Sequence, residues 1–236
     1  MASLRKTATC LGLSGDISIL RDFYGYRTDA PFQLSLLMQV RLLQGKHIHL
    51  NLIRTASFDA SQQKQIDLAL QVMRNIYATV SLGIGRIQRF VIPPGHEVID
   101  DDAEFHHLIN EFSVPNVGID VFLVRLIMGD ASGKSPVNGS CDKDAKDDSG
   151  CVIGIENNQD FGPFIGQVLA HEVGHYLGLR HVIELSTVTL LNIPESVIGI
   201  LDDNLMFPES PNGGQLTGGQ GGEMKLHCSM RAGCQT

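Results

Sequence analysis

The sequence predicts an α+β protein, and three stretches carry that prediction. Between residues 46 and 52, apolar residues alternate with polar ones, which is the period of a half-buried strand. From Ile66 to Val80, apolar residues recur at helical spacing. Gly118 to Met128 is almost continuously apolar and is typical of a central strand buried on both faces. Strands and helices therefore alternate along the chain.

Residues 1–44 have the weakest pattern. Pro31 leads into an apolar run from Phe32 to Leu43, and the stretch is interpreted as an N-terminal extension or a pro-like segment. Its beginning lacks the continuous apolar segment and small-residue cleavage site of a signal peptide. The main domain is predicted to span residues 45–236.

The first strand carries His47 and His49 on its polar face. No acidic or thiol partner is nearby, so we expect a solvated face rather than a metal site. The helix that follows begins at Asp59 to Gln62, which resembles a capping box. Its Met73 and Tyr77 are expected in the core.

A second strand is predicted within Ile84 to Ile92, where two prolines and a glycine end it. The acidic run Asp100–Asp102 then suits the positive end of a short helix that continues through about Phe112. His106 and His107 on this helix are expected at the surface.

Residues 129–150 are rich in Gly, Ser, Asp and Pro and predict a long loop. Asp142, Asp144, Asp147 and Asp148 offer the hard oxygen ligands that calcium prefers. Their spacing matches no EF-hand loop, so a solvated acidic loop is favoured and calcium stays a hypothesis. A short strand is predicted over Cys151 to Ile155.

The five cysteines are too few for a disulfide framework. Cys141 with Cys151, and Cys228 with Cys234, lie at loop-closing separations in sequence. Whether either pair forms is left open, and Cys10 would remain as an odd thiol.

The most specific pattern is the run HEVGHYLGLRH, on a helix that Gly162-Pro163 opens. Residues four apart share one helix face, so His171 and His175 can point at a common metal with Glu172 beside them. Gly178 can take the left-handed conformation that turns the chain sharply and returns His181 to the metal. Three neutral imidazoles leave a fourth tetrahedral position open, as in a catalytic zinc site.

This run resembles the HExxHxxGxxH motif of the metzincin zinc metalloproteases. Further along, Asp203 to Pro208 resembles their Met-turn, in which Met206 would pack beneath the metal without ligating it. The separation of 25 positions (206 minus 181) is nearer to adamalysin-like members than to matrixins. Val182 and Pro208 depart from the residues of known subfamilies at these positions, so the subfamily stays open.

The resemblance implies a zincin-like fold with a twisted, mostly parallel sheet, two long helices above the cleft and a smaller, irregular C-terminal subdomain. Residues 45–178 would form the upper subdomain and 179–236 the lower one. The segment Ser135 to Ser140 resembles the edge region that lines the cleft, and Phe207 to Pro211 would form the far wall. The last helix is expected from a capping box at Thr217 and Gln220 through about Met230.

The implied activity is that of a zinc-dependent endopeptidase acting on peptide or protein substrates. The resemblance assigns the metal to His171, His175 and His181 and makes Glu172 the general base, which would later return its proton to the departing amine. The alternative is a zinc-containing module that binds a peptide or protein without turnover. A deformylase-like amidase is disfavoured because it needs a cysteine ligand and gives no reason for His181 or Met206.

Composition and charge limit the partners and the location. The chain is 43% hydrophobic and 19% charged, which is ordinary for a globular protein, and a monomer is expected. Its net charge of −8, without clustered Lys and Arg, disfavours a nucleic-acid partner. No apolar run reaches the length of a membrane span. The resemblance favours a secreted or extracytoplasmic location.

Thr9 to Gly12 does not match the family's cysteine switch, so a plain unpaired Cys10 is favoured.

Overall fold

The structure, a computed structural model, describes residues 45–55, 58–129, 131–145, 148–156, 162–183, 201–208 and 213–233. In chain order its elements are β1 (Lys46–Thr55), α1 (Ala60–Thr79), β2 (Gly83–Ile92), β3 (Val98–Ile99), α2 (Asp102–Phe112), β4 (Ile119–Val124), β5 (Leu126–Ile127), β6 (Gly133–Lys134), β7 (Gly150–Gly154), α3 (Gly162–Tyr176), α4 (Gly218–Met224) and β8 (Arg231–Ala232). The interpretation of residues 1–44 lies outside the described residues.

The main sheet is mostly parallel, as expected. Its strand order is β2-β1-β4-β7-β6, and the first four strands run parallel to one another. β6 lies antiparallel to β7 and ends this path, while β8 pairs antiparallel with the start of β1. β6 is therefore an edge strand beside the carboxyl end of the sheet.

Helices cover both faces of the sheet. On one face, α1 and α3 pack on β1, β4 and β7 through a large apolar cluster. On the other face, α2 packs its Phe105, Leu108 and Ile109 against Phe122 and neighbouring residues of the sheet. The phenol of Tyr77 on α1 donates to the carbonyl oxygen of Ala170 on α3 at 2.8 Å, and both groups are buried. This bond fixes the two long helices against each other.

Local sequence signals set most element boundaries. The predicted capping box at the start of α1 is confirmed, since Asp59 accepts from the backbone of Ser61 and Gln62 while Gln62 returns the bond. Asp101 caps α2, as the acidic run suggested. The predicted central strand ends at Val124, earlier than Met128, because Arg125 and Leu126 turn their N–H groups to Glu97 and the chain continues as β5 beside β3. The last helix also ends early, at Met224.

The expectation of a solvated face for His47 and His49 is wrong. His47 is 1% exposed and His49 is 8% exposed. Every residue of β1 is buried except the exposed Lys46 and the half-buried Arg54. The cause is tertiary: β1 lies between β2 and β4, β8 pairs with its beginning, and the backbone of β2 at Gly85 packs against both imidazole rings. The buried imidazole of His49 has a hydrogen-bond partner there, since its Nδ1 accepts from the backbone N–H of Arg86 at 3.0 Å. On α2, His107 is exposed as expected and His106 is half-buried.

The disulfide candidates drawn from sequence separation are also wrong. Cys141 pairs with Cys228 across 87 positions, and Cys151 is a free, buried thiol on β7. Cys151 lies inside the sheet, so it is out of reach of a loop cysteine, while the C-terminal segment brings Cys228 beside Cys141. Cys10 and Cys234 lie outside the described residues. No described helix has the length and apolar character needed to cross a bilayer.

Candidate metal centre and active site

Helix α3 is held tightly in the core, which aims its polar residues at a cleft. Val168, Leu169 and Val173 are buried among the apolar residues of α1 and the sheet. At Gly166 a side chain would meet the Cβ of Val72 at 2.5 Å, so glycine permits the close approach of the two helices. His171, Glu172 and His175 then face the cleft.

Three histidines converge at the floor of this cleft. The ligand nitrogens of His171, His175 and His181 all lie within 4.8 Å of one another. The Nε2 atoms of His175 and His181 are 3.1 Å apart. Two nitrogens bound to one tetrahedral zinc at about 2.0–2.1 Å would be separated by roughly 3.3–3.4 Å. The donor set therefore fits a single zinc ion.

A sharp turn after α3 brings His181 to the other two histidines. Gly178 has a φ of +106°, a conformation that residues with a side chain rarely adopt. Its N–H donates to the carbonyl of His175 at 2.9 Å, and the N–H of Leu179 donates to Gly174 at 3.0 Å. The chain reversal predicted at Gly178 is thus present.

Backbone carbonyls fix the tautomers of two of these histidines. The Nδ1 of His171 donates to the carbonyl oxygen of Leu205 at 2.6 Å, and the Nδ1 of His175 donates to that of Leu179 at 2.8 Å. A carbonyl oxygen can only accept, so Nδ1 carries a proton in both rings and Nε2 is the nitrogen that can ligate a metal. This second layer of hydrogen bonds is typical of metal-ligating histidines.

The charge state of the site also suits a metal. Burial and the neighbouring His175 lower the pKa of His171 to about 4, so its imidazole is neutral at pH 7, the form that binds metals. Burial raises the pKa of Glu172 to about 8 in the metal-free protein. A desolvated carboxyl group therefore lies in the same cleft as the neutral imidazole of His171.

Met206, in the segment expected to form the Met-turn, packs against α3 at Gly174. It is fully buried, and a Cβ on Gly174 would stand 3.0 Å from its sulfur. Asn204 fixes the turn by accepting from the N–H of Met206 at 2.9 Å, while Met206 itself accepts from the N–H of Val182 at 3.0 Å. Val182, the residue after His181, is thereby hydrogen-bonded to the turn.

The cleft has a volume of about 330 Å³. Its walls are the edge segment from Ala131 to Ser135 on one side and Phe207 with Pro208 on the other. The sequence placed the edge region at Ser135 to Ser140, but the paired edge strand is Gly133–Lys134, and Asn138 and Gly139 instead bond to the end of α3. The rest of the predicted far wall, 209–211, lies outside the described residues.

The hypothesis of a calcium site gains no support. Among the described residues, no three acidic side chains of the 129–150 loop come within ligand distance of one another, and Asp147 is not among those residues. Instead, Asp142 accepts from the N–H of Asp144 at 3.0 Å, as in a solvated turn. A second group, Cys141, His227 and Cys228, is close together because the two cysteines form the disulfide.

Sequence reasoning missed the supporting residues of this site. The carbonyl groups of Leu179 and Leu205 carry no side-chain signal. The contact of Gly133 with Glu172 joins residues 39 positions apart (172 minus 133). Only the glycine content of the loop hinted that the chain comes close to another element there.

Comparison with known proteins gives a family match. The model of the family described as Metallo-peptidase family M12B Reprolysin-like matches residues 37–182. No curated protein matches the chain.

Two solved structures show a similarity of fold at 12% identity. One is titled "Crystal Structure of metalloproteinase-II from Bacteroides fragilis", with a TM-score of 0.49 over 79% of this chain and 54% of that one. The other is titled "Structure of a chaperone-substrate complex", with a TM-score of 0.45 over 60% of this chain and 25% of that one. The chain therefore spans about half of the first and a quarter of the second.

Proposed function

We propose, from the premise that the chain belongs to the reprolysin-like metallopeptidases of family M12B, that it is a zinc endopeptidase. Membership implies a metzincin-type zinc metalloprotease with a zincin-like fold, and the mostly parallel sheet with two long helices agrees with it. One observation carries the proposal: three imidazoles converge within 4.8 Å beside the buried carboxyl group of Glu172.

His171, His175 and His181 are proposed to hold the zinc ion. When bound, zinc supplies Lewis-acid chemistry, which lowers the pKa of water to near 7 and polarises the substrate carbonyl. The carbonyls of Leu205 and Leu179 orient the first two imidazoles for this task. Met206 contributes packing beneath them and is not proposed as a ligand.

Glu172 is proposed as the general base and acid. It lines the cleft next to the three histidines, so it can take a proton from the water that attacks the peptide carbonyl. The same carboxyl group can then deliver that proton to the departing amine. One residue thus handles both proton transfers.

The edge strand β6 is proposed to bind the substrate. It closes the described sheet on this side, and its segment from Ala131 to Ser135 lines the cleft. An extended peptide can add to such an edge through backbone hydrogen bonds, with side-chain contacts giving selectivity. A polypeptide fits this arrangement better than a small amide does.

The domain division and the setting follow from this placement. The cleft lies between residues proposed as an upper subdomain, 45–178, and a lower one, 179–236, which carries His181 and the Met-turn. The catalytic domain is proposed to act as a monomer. The disulfide between Cys141 and Cys228 supports an oxidising, extracytoplasmic location.

The test is cleavage of a mixed peptide library by the purified protein, with zinc content measured by emission spectroscopy. The proposal expects one zinc per chain and internal cleavage by the wild type, and zinc without cleavage in Glu172→Ala. Equal cleavage by the variant would refute Glu172 as the base. Zinc with tight peptide binding and no turnover in the wild type would favour a binding module.

A further inference from the structure

The edge strand meets Glu172 at a residue without a side chain. A Cβ on Gly133 would lie 2.5 Å from the Cγ of Glu172, 2.8 Å from its Oε1 and 2.9 Å from its Cδ. Favourable carbon–carbon contacts are about 3.5–4.0 Å, so no side chain fits there without movement. The carboxyl group of Glu172 packs directly against the strand backbone at Gly133.

The same segment contacts the next turn of the helix through a second glycine. Glu172 and Tyr176 are four residues apart and share one face of α3. A Cβ on Gly139 would lie 2.3 Å from the Tyr176 ring. The N–H groups of Asn138 and Gly139 donate to the last carbonyls of the helix, those of His175 and Tyr176, at 2.9 and 2.8 Å. Residues 133–139 therefore run along α3 and contact two successive turns of it.

The segment is also held from its other side. Gly133 pairs with Ile153 of β7, and the N–H of Gly154 donates to the carbonyl of Ser132 at 2.9 Å. At the far end, the Nε2 of His227 donates to the carbonyl of Gly139 at 2.9 Å. Both ends of the segment are hydrogen-bonded, so we expect a new side chain at residue 133 to displace the flexible side chain of Glu172 rather than the backbone.

We propose that Gly133 is a positioning residue for Glu172, which sets the place of the carboxyl group by leaving room for it against the edge strand. The proposal rests on the proposed function of Glu172. In the same way, Gly139 leaves room for the ring of Tyr176. The hydroxyl of Tyr176 donates to the carbonyl of Ser140, so we assign Gly139 a role in the fold rather than in the reaction.

The kinetic test compares Gly133→Ala with the wild type and with Gly218→Ala, where a Cβ meets nothing within 4 Å. Gly133→Ala is expected to lower kcat by about ten- to a hundred-fold through misplacement of Glu172, while KM and zinc content stay unchanged. The control variant Gly218→Ala should have the kcat, KM and zinc content of the wild type. Wild-type kcat in Gly133→Ala, or a rise in KM alone, would overturn the proposal.

A second test needs no activity and separates this contact from the proposed function. Tm is measured on the chelator-treated proteins in a cycle of Gly133→Ala and Glu172→Ala. Gly133→Ala should lower Tm when Glu172 is present and raise it or leave it unchanged when residue 172 is alanine, because the obstructing atoms are gone. An equal loss in both backgrounds would overturn the proposal. If Gly133→Ala does not fold alone, recovery of folding in the double variant supports the contact, and failure to recover contradicts it.

Discussion

The Nδ1–H of His175 donates to the carbonyl oxygen of Leu179 at 2.8 Å. The turn that follows α3 therefore orients a histidine on the helix as well as carrying the chain back towards His181. Helix, turn and third histidine form one unit, which depends on the conformation of Gly178.

Gly178→Ala tests this dependence. At a φ of +106° a Cβ would meet only ordinary contacts, with Asn138 at 3.8 Å and Glu223 at 3.9 Å, so the cost comes from the backbone. We expect a loss of about 1–2 kcal/mol in the free energy of unfolding. Zinc affinity should fall as well, because His181 and the carbonyl of Leu179 shift together.

Denaturant titration and competition with a chelator measure these two effects. Gly218→Ala is the control at a position where alanine fits, and it should lower neither stability nor zinc affinity. Weaker stability with unaltered zinc affinity would show that the turn does not position the third histidine.

Substitutions of Met206 distinguish packing from ligation. Met206→Leu keeps the side-chain volume against Gly174 and should cost less than about 1.5 kcal/mol. Met206→Ala leaves a cavity beneath the histidines and should cost about 2–5 kcal/mol. Emission spectroscopy should find one zinc per chain in Met206→Leu. Loss of zinc in that variant with an unchanged Tm would indicate a role beyond packing.

Removal of the disulfide tests the anchoring of the loop. The double variant Cys141→Ser/Cys228→Ser opens a link across 87 positions, and we expect a loss of roughly 2–5 kcal/mol in the free energy of unfolding. Urea titration measures the loss. Peptide mapping of the unreduced wild type should recover Cys141 joined to Cys228, and a Cys141–Cys151 link would contradict the observed pairing.

Stability should fall with acid because of the buried histidines of β1. Burial, and then the charges of His47, Arg86 and Arg231, lower the pKa of His49 to about 4 from its usual 6.5. Between pH 6.5 and 4 the unfolded chain takes up a proton that the folded chain does not, so the folded state loses stability as pH falls through this window. Across this window His49 lowers the free energy of unfolding by about 3 kcal/mol.

His49→Asn isolates this effect, since the amide oxygen can still accept from the N–H of Arg86. Urea titrations at pH 7 and pH 4.5 should show a smaller difference in this variant than in the wild type. His107→Asn removes an exposed histidine that pairs with Glu111 and should not reduce the difference. An unchanged pH dependence in His49→Asn would mean that His49 is charged in the folded protein.

Local spacing predicted that the polar residues of α3 would lie on one face, because the geometry of a single helix determines which side chains are neighbours. His171, Glu172 and His175 share the cleft for that reason, and the positive φ of Gly178 follows from a local turn. The long helix α1 and the strands β1, β2, β4 and β7 were predicted from local sequence patterns, whereas the two-residue strands β3, β5, β6 and β8 were not.

Relations between distant residues escaped prediction. The burial of His47 and His49 depends on strands elsewhere in the chain, from Gly85 on β2 to β8, which pairs with β1 across 184 positions (231 minus 47), and no alternation pattern reports it. The pairing of Cys141 with Cys228 and the contact of Gly133 with Glu172 are likewise products of the folded arrangement.

X-ray absorption at the zinc edge of the purified wild-type protein tests the central claim most directly. The account predicts one zinc per chain with three imidazole nitrogens at about 2.0–2.1 Å and one further light ligand. A zinc–sulfur distance near 2.3 Å, or fewer than three imidazoles in the first shell, would contradict it.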